Sequence, residues 1–299
     1  MVDFNNNLKK YSPEEFQSAL DKGEVIDGLS QRGSARIKIT RLIPWIILCQ
    51  HSGTYIEESI AEKMAITKQQ RHYEEDLYVD ELFDCQPVTI FATYSRYMFD
   101  TNRPAEKAIY LNKEDSWDIQ VFKTLLTQIE RNSILKLYKE FYDYIDLIIT
   151  SIIEHYGGCI IYDFHSFNAS YPERQNRDLP AFNLGTMTLN HLKYRYIIDN
   201  WLKEHNKINI KNISGKVREN DVFGGRGGMA RYISATYNDA VIFPTEIRKF
   251  FMNENSYLLY PEIWNPLKKQ LNQAINRNSD YFVSKLQYNK RNKLSDFMK

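Results

Sequence analysis

Gly157-Gly158-Cys159-Ile160-Ile161-Tyr162-Asp163-Phe164-His165-Ser166-Phe167 is the stretch that decides how the chain is read. An apolar run with glycines on one side and a polar Asp-x-His-Ser on the other reads as a buried strand. In an α/β sheet the carboxyl end of such a strand faces the crevice where ligands bind, which puts His165 at the mouth of a cleft. Upstream, Ile43-Pro44-Trp45-Ile46-Ile47-Leu48-Cys49 has the same grammar and runs into Gln50-His51-Ser52-Gly53-Thr54. Two short strands that each deliver a histidine can bring imidazoles together from distant points of the chain. That is a metal-site geometry, and it is also simply two histidines. A third apolar run, 240–243, ends in Pro244-Thr245-Glu246-Ile247-Arg248 and again delivers a charged residue, whose plain reading is an ion pair with Arg248 or another cation.

Between these strands lie helices and loops. Ser12-Pro13-Glu14-Glu15 is a capping box with proline at the first helical position, opening a short helix closed by Gly23. Residues 57–66 and 72–83 read as helices, with Asp76 on or near the second, and 87–94 alternates like a strand. Ser95-Arg96-Tyr97-Met98-Phe99-Asp100-Thr101-Asn102-Arg103-Pro104 then forms a loop dense in polar groups. Its arginines suit a carboxylate, which guanidinium binds bidentately, although a solvated loop has the same composition. Over 121–155 the residues Ile134, Leu137, Tyr138, Phe141, Ile145, Ile148, Ile149 and Ile152 recur at three and four, the spacing of a helix packed on a sheet. Residues 168–182 read as a long loop trailing His165, 188–205 as a helix and 208–213 as an exposed strand. Gly224-Gly225-Arg226-Gly227-Gly228 lacks the Lys-Ser/Thr of a phosphate-binding loop and reads as a flexible turn near the cleft. The rest, 260–299, has helical spacing and a charged tail.

Composition narrows the classes. The 299 residues are 43% hydrophobic and 14% aromatic, enough for a substantial core in one domain, with an N-terminal helical appendage (about 1–36) and a C-terminal helical extension (about 260–299). A net charge of +1 makes no electrostatic case for nucleic acid or an anionic membrane. Three widely spaced cysteines, Cys49, Cys85 and Cys159, read as small hydrophobes in a reducing compartment. The N-terminus lacks a basic region followed by an apolar one, and the longest apolar run, 42–49, is too short to span a bilayer, so a soluble cytoplasmic protein is expected. The tyrosine content is compatible with a homo-oligomer.

Collected, the strand ends offer His51, His165 and Glu246, with Asp76 from a helix and Arg96 to Arg103 from a loop. Two imidazoles and a carboxylate with an open fourth position are the ligand set of a catalytic zinc site, and a further glutamate can serve as general base. The order of motifs resembles the N-formylglutamate amidohydrolase family: His51-Ser52-Gly53-Thr54, Asp76 before Leu82-Phe83, the Ser95-Arg96-Tyr97 to Asn102-Arg103-Pro104 block, Asp163-x-His165-Ser166, Asn183-Leu184-Gly185-Thr186, Gly227-Gly228 before a helix, and Glu246 after a late strand. Gln50 stands where that family usually has proline, and Lys139 follows Tyr138 where a Tyr-His pair is common.

The resemblance implies an α/β fold with a mixed central sheet flanked by helices, similar to the zinc exopeptidases (phosphorylase/hydrolase-like), with one zinc per chain at the strand ends. It implies zinc on His51, Asp76 and His165, Glu246 as general base, Arg96 polarising the scissile carbonyl, and Asn102 with Arg103 on the substrate carboxylate. Glu57, Glu58, Glu74, Glu75 and Asp80 are the other carboxylates near the second ligand position. Asp163 is expected to orient an imidazole, and Tyr97 and Asp100 to brace the arginines. His72, His155, His191 and His205 are expected to be structural. The activity expected is hydrolysis of the amide of an N-acyl amino acid bearing a free carboxylate. The alternatives are a peptidase or amidase acting on a larger conjugate with the same site, and a catalytically silent carboxylate-binding protein, for which an intact open metal site serves no purpose.

Overall fold

The computed structural model describes residues 8–210, 213–214 and 216–297. Residues 1–7, where a targeting segment was sought, residues 211 and 212 of the expected 208–213 strand, and the end of the charged tail at 298–299 lie outside them. Chain order runs β1 (Lys9–Tyr11), α1 (Pro13–Asp21), β2 (Ile26–Ser30), β3 (Ala35–Ile39), β4 (Trp45–Cys49), α2 (Glu58–Ala61), α3 (Lys68–Glu74), β5 (Val88–Ala92), α4 (Gln128–Tyr156), β6 (Cys159–Phe167), β7 (Phe182–Leu184), α5 (His191–His205), β8 (Asn209–Ile210), β9 (Ile213–Ser214), β10 (Val217–Glu219), α6 (Gly228–Thr236), β11 (Ala240–Arg248) and α7 (Pro261–Phe297).

Among the described residues, nine strands form one mixed sheet in the order β1-β2-β3-β5-β4-β6-β11-β7-β10, flanked by helices. β4 is parallel to β5 on one side and to β6 on the other, and β6 is parallel to β11. Strand order therefore reverses at β4, and a crevice opens beyond the carboxyl ends of β4 and β6. The central strands are buried on both faces, which explains why β4 and the first half of β6 read as unbroken apolar runs. The register sets Glu246 of β11 directly opposite His165 of β6.

The helices follow their local signals. Ser12 and Glu15 close the capping box of α1. Thr127 and Glu130 do the same for α4, which ends at Gly157 with a φ of 81° that favours glycine. Ile134, Leu137, Phe141, Ile145, Ile148, Ile149 and Ile152 are all buried along α4.

Several boundaries differ from the sequence reading. The N-terminal segment is more than a helical appendage: it also supplies β1, β2 and β3, which extend the sheet through the antiparallel β3–β5 pair. Strands of three to five residues leave almost no periodic trace, and only pairing reveals them. The expected 72–83 helix is instead α3 and a 3-10 turn at Val79–Phe83, separated by Tyr78 with a φ of 68°, and Asp76 lies in that break. The 57–66 helix shrinks to α2, and α4 begins at Gln128, well inside the expected 121–155. The 208–213 strand becomes a short hairpin, β8 and β9, outside the main sheet. β11 continues past Phe243 to Arg248, so Glu246 belongs to the strand itself. Cys49 and Cys159 are buried and Cys85 is exposed, all as free thiols. Among the described residues no helix is long and apolar enough to cross a membrane.

Candidate metal centre and cleft

Three elements converge on one point. His51 follows β4, His165 stands near the end of β6, and Asp76 lies in the break after α3, where its backbone N–H donates to His51 O at 3.0 Å. His51, Asp76 and His165 each offer a ligand atom, these atoms all lie within 4.8 Å of one another, and all three residues are buried, so the group could hold a metal ion. Asp76 Oδ2 is 3.2 Å from His165 Nδ1 and 3.7 Å from His51 Nδ1. The other nitrogen of each ring has its own carboxylate: His51 Nε2 meets Asp100 Oδ1 at 2.7 Å, and His165 Nε2 meets Asp163 Oδ1 at 3.1 Å. With each Nε2 held by its own carboxylate, both Nδ1 atoms face inward, where a metal would displace any proton they carry. Of the other nearby carboxylates, Glu74 lines the cleft at Tyr171. Glu75 is buried against Arg71, His72 and Ser95, away from the group.

The surroundings set the charges. Burial would raise Asp76, but hydrogen bonding by His165 and the charges of His165, His51 and Lys249 bring it down to about 2. His165 is raised well above the ordinary histidine value: burial opposes the charge, and Asp163, Asp76 and Glu246 outweigh it. His51 moves the other way, lowered by burial and by Arg96. Glu246 is raised to about 7, chiefly by burial and then by Asp76 and Asp163. The cluster is thus crowded with carboxylate charge that a divalent cation neutralises.

The polar loop divides. Arg96 lines the cleft, its Nη2 donating to Asp100 Oδ2 at 2.7 Å and to the Tyr110 hydroxyl at 3.2 Å, with its guanidinium over the Trp117 ring. Asn102 also lines the cleft, and its Oδ1 is a buried atom with no hydrogen-bond partner among the described residues. A Cβ at Gly227 would collide with that side chain, so any larger residue there would displace Asn102. Arg103 does not reach the cleft: it stacks over Tyr110 with its Nε 3.7 Å from Asp100. Among the described residues the Tyr97 hydroxyl has no hydrogen-bond partner, and Tyr110 is the tyrosine that braces Arg96. Asp100 braces Arg96 as expected and also holds His51.

Four positioning residues escape a reading of motifs. Gln50 Nε2 donates to both oxygens of Asp163 at 3.0 Å, while its Oε1 accepts from Thr101 at 3.1 Å. Ser166 donates to Asp76 Oδ1 at 2.9 Å. Buried Lys249 donates to the carbonyls of Tyr73 and Glu75 at 2.7 and 2.9 Å, clamping the segment that carries Asp76. Tyr110 closes the set. Position beside a ligand signals Gln50 and Ser166, but nothing local signals Lys249 or Tyr110. Glu246 lines a cavity of about 360 Å³ together with His51, Asp76, His165, Arg96 and Asn102.

Residues 43–243 match the N-formylglutamate amidohydrolase family. Two solved structures share the fold. A crystal structure of N-formylglutamate amidohydrolase from Ralstonia eutropha JMP134 has 19% identity and a TM-score of 0.66, covering 80% of this chain and 94% of that one. A gene product of Agrobacterium tumefaciens, Atu2144, has 20% identity and a TM-score of 0.58, covering 78% and 91%. No curated protein matches the chain. With the match extending over most of its length and taking in His51, Asp76 and His165, the chain belongs to the N-formylglutamate amidohydrolase family.

Proposed function

We propose that the chain is a zinc-dependent hydrolase that cleaves the amide bond of an N-acyl amino acid resembling N-formylglutamate. The observation that carries this is the pairing of two Nδ1-inward imidazoles and Asp76 with Glu246, in one cleft that also presents Arg96 and Asn102. The donor set fits zinc. Bonds of about 2.0–2.1 Å in a tetrahedron place neighbouring donors roughly 3.3 Å apart, and the two Asp76–imidazole separations of 3.2 and 3.7 Å bracket that edge. Two neutral imidazoles and one carboxylate leave a position open, as in catalytic rather than structural zinc sites.

Zinc on these three residues supplies Lewis acidity toward the scissile carbonyl. The remaining steps belong to the chain. Glu246, raised to about 7 by burial and two carboxylates, is poised to accept the proton of an attacking water near neutrality. It then delivers that proton to the departing amine nitrogen. Arg96, fixed by Asp100 and Tyr110, donates to the carbonyl oxygen as charge develops there, without side-chain reorganisation. Asn102 orients the substrate, so that attack occurs within a preassembled complex.

The test is zinc content and hydrolysis of N-formyl-L-glutamate by wild type and Glu246→Gln. Expected are about one zinc per chain in both and a turnover lower by roughly 10² to 10⁴ in the variant, the usual contribution of a positioned base. Full activity in Glu246→Gln would remove the assigned base. A wild type that takes up no zinc even when it is offered would sink the mechanism.

A further inference from the structure

Two guanidinium groups on the cleft wall take no part in the chemistry above. Arg174 closes the 3-10 turn Pro172–Arg174 and lies over three rings at once, 4.9 Å from the centroid of Tyr171, 5.1 Å from Phe223 and 5.5 Å from Phe167. The rings cover its faces and hold it still, while its N–H groups point outward in the guanidinium plane. One of them donates to Asn168 O at 2.7 Å. Nearby Arg177 and Arg218 are tied to Asp221 and Asp178, yet among the described residues Arg174 has no carboxylate partner. Glu74, which also lines the cleft, accepts from the Tyr171 hydroxyl.

Arg226 is the second group. It is exposed at the rim of the same cleft, in the glycine-rich loop, and has no ion-pair partner among the described residues. The loop is not loose: Asn183 Nδ2 donates to Phe223 O at 2.8 Å, and its Oδ1 accepts from the backbone of Asp221 and Val222. One anchor therefore positions both Arg226 and a ring of the Arg174 cradle. Phe167 lies two residues beyond His165 on the same face of β6, so its ring stands roughly 7 Å further along the cleft. That is about the span from a scissile amide to the side-chain carboxylate of an extended glutamyl group.

The other cations are already committed. Arg96 is bound to Asp100 and Tyr110, and Arg103 lies off the cleft. We propose that Arg174, assisted by Arg226, is the residue that binds a carboxylate of the substrate and sets the amide against the His51, Asp76 and His165 group. This rests on the hydrolase reading above and assigns the anion subsite to Arg174 and Arg226 in place of Arg103.

Steady-state kinetics with N-formyl-L-glutamate and its two mono-amides, N-formyl-L-glutamine and N-formyl-L-isoglutamine, test it. In wild type, loss of the carboxylate that Arg174 reads lowers kcat/KM by about 10- to 100-fold, the usual worth of a charge-assisted hydrogen bond. The amide that suffers identifies that carboxylate. In Arg174→Gln the discrimination between acid and that amide collapses, and in Arg174→Lys, which keeps the charge and loses the fork, it is partly retained. Discrimination that survives in Arg174→Gln, or a uniform fall for all three substrates, would overturn the assignment. If Arg174→Gln fails to fold, Arg226→Ala carries the test, with weakened discrimination expected and unchanged discrimination counting against the subsite. If wild type hydrolyses none of the three, the hydrolase reading fails separately. Calorimetry with glutarate then decides the subsite: binding lost in the arginine variant upholds it, and no binding by wild type overturns it.

Discussion

At the scale of single residues, the candidate centre depends on groups that never touch a metal. Asp163 faces His165 Nε2 and is itself pinned through both oxygens by Gln50, so the imidazole is held in one tautomer and one orientation. Outer carboxylates of this kind typically change metal affinity by 10- to 100-fold. Asp163→Asn is therefore expected to weaken zinc binding by about that factor, read by competition with a chromogenic chelator; an unchanged affinity would mean that Asp163 does not orient the ring. Glu246 makes a second prediction at this scale. A base acts only when unprotonated, so kcat/KM should rise with pH along an acid limb whose midpoint lies no higher than about 7, since a bound cation only favours the carboxylate. A midpoint near 9 would point to a different group. Asp76 could be named only through the family resemblance, by its place before Leu82-Phe83. Its separation from Glu74, Glu75 and Asp80 came only with the chain break after α3, where the backbone bond to His51 O turns Asp76 inward.

At the scale of elements, α5 shows how a helix buries a titratable group. His205 ends α5 fully buried, with its ring 4.0 Å from that of Trp201 and 4.9 Å from that of Phe182, and burial lowers it to about 4. The sign follows directly. The unfolded chain binds the proton near pH 6.5 and the folded chain only near 4, so this contribution is intact above pH 6.5 and is lost as pH falls through that window. Urea unfolding should show about 2 kcal/mol less stability at pH 5 than at pH 7 from this source. His205→Gln should flatten that part of the profile, and an identical slope in the variant would refute the assignment. Helices were legible in advance wherever capping and periodicity agreed, as in α1 and α4. The short strands β7 and β10 were not, because three residues carry no pattern until β11 pairs with β7 and β7 with β10.

At the scale of the whole molecule, the sheet makes the N-terminal strands continuous with those that carry the cleft, through β3 and β5. One hydrophobic cluster runs from Phe16 of α1 through the central strands to Leu271 and Ile275 of α7. We propose that the chain unfolds as a single cooperative unit, with tryptophan fluorescence and far-ultraviolet circular dichroism giving coincident urea transitions; two separated transitions would show an independent N-terminal or C-terminal unit. By itself the sequence determined the α/β class, the three apolar strands and the residues at their polar ends, since burial and strand length are written in consecutive side chains. Only the tertiary structure decided that His51 and His165 face one carboxylate, that Glu246 stands in register with His165, that Arg103 turns away and that Arg174 lies in an aromatic cradle. Each of those depends on the pairing of segments far apart in the chain. Register and packing set such pairings, and no local pattern encodes them.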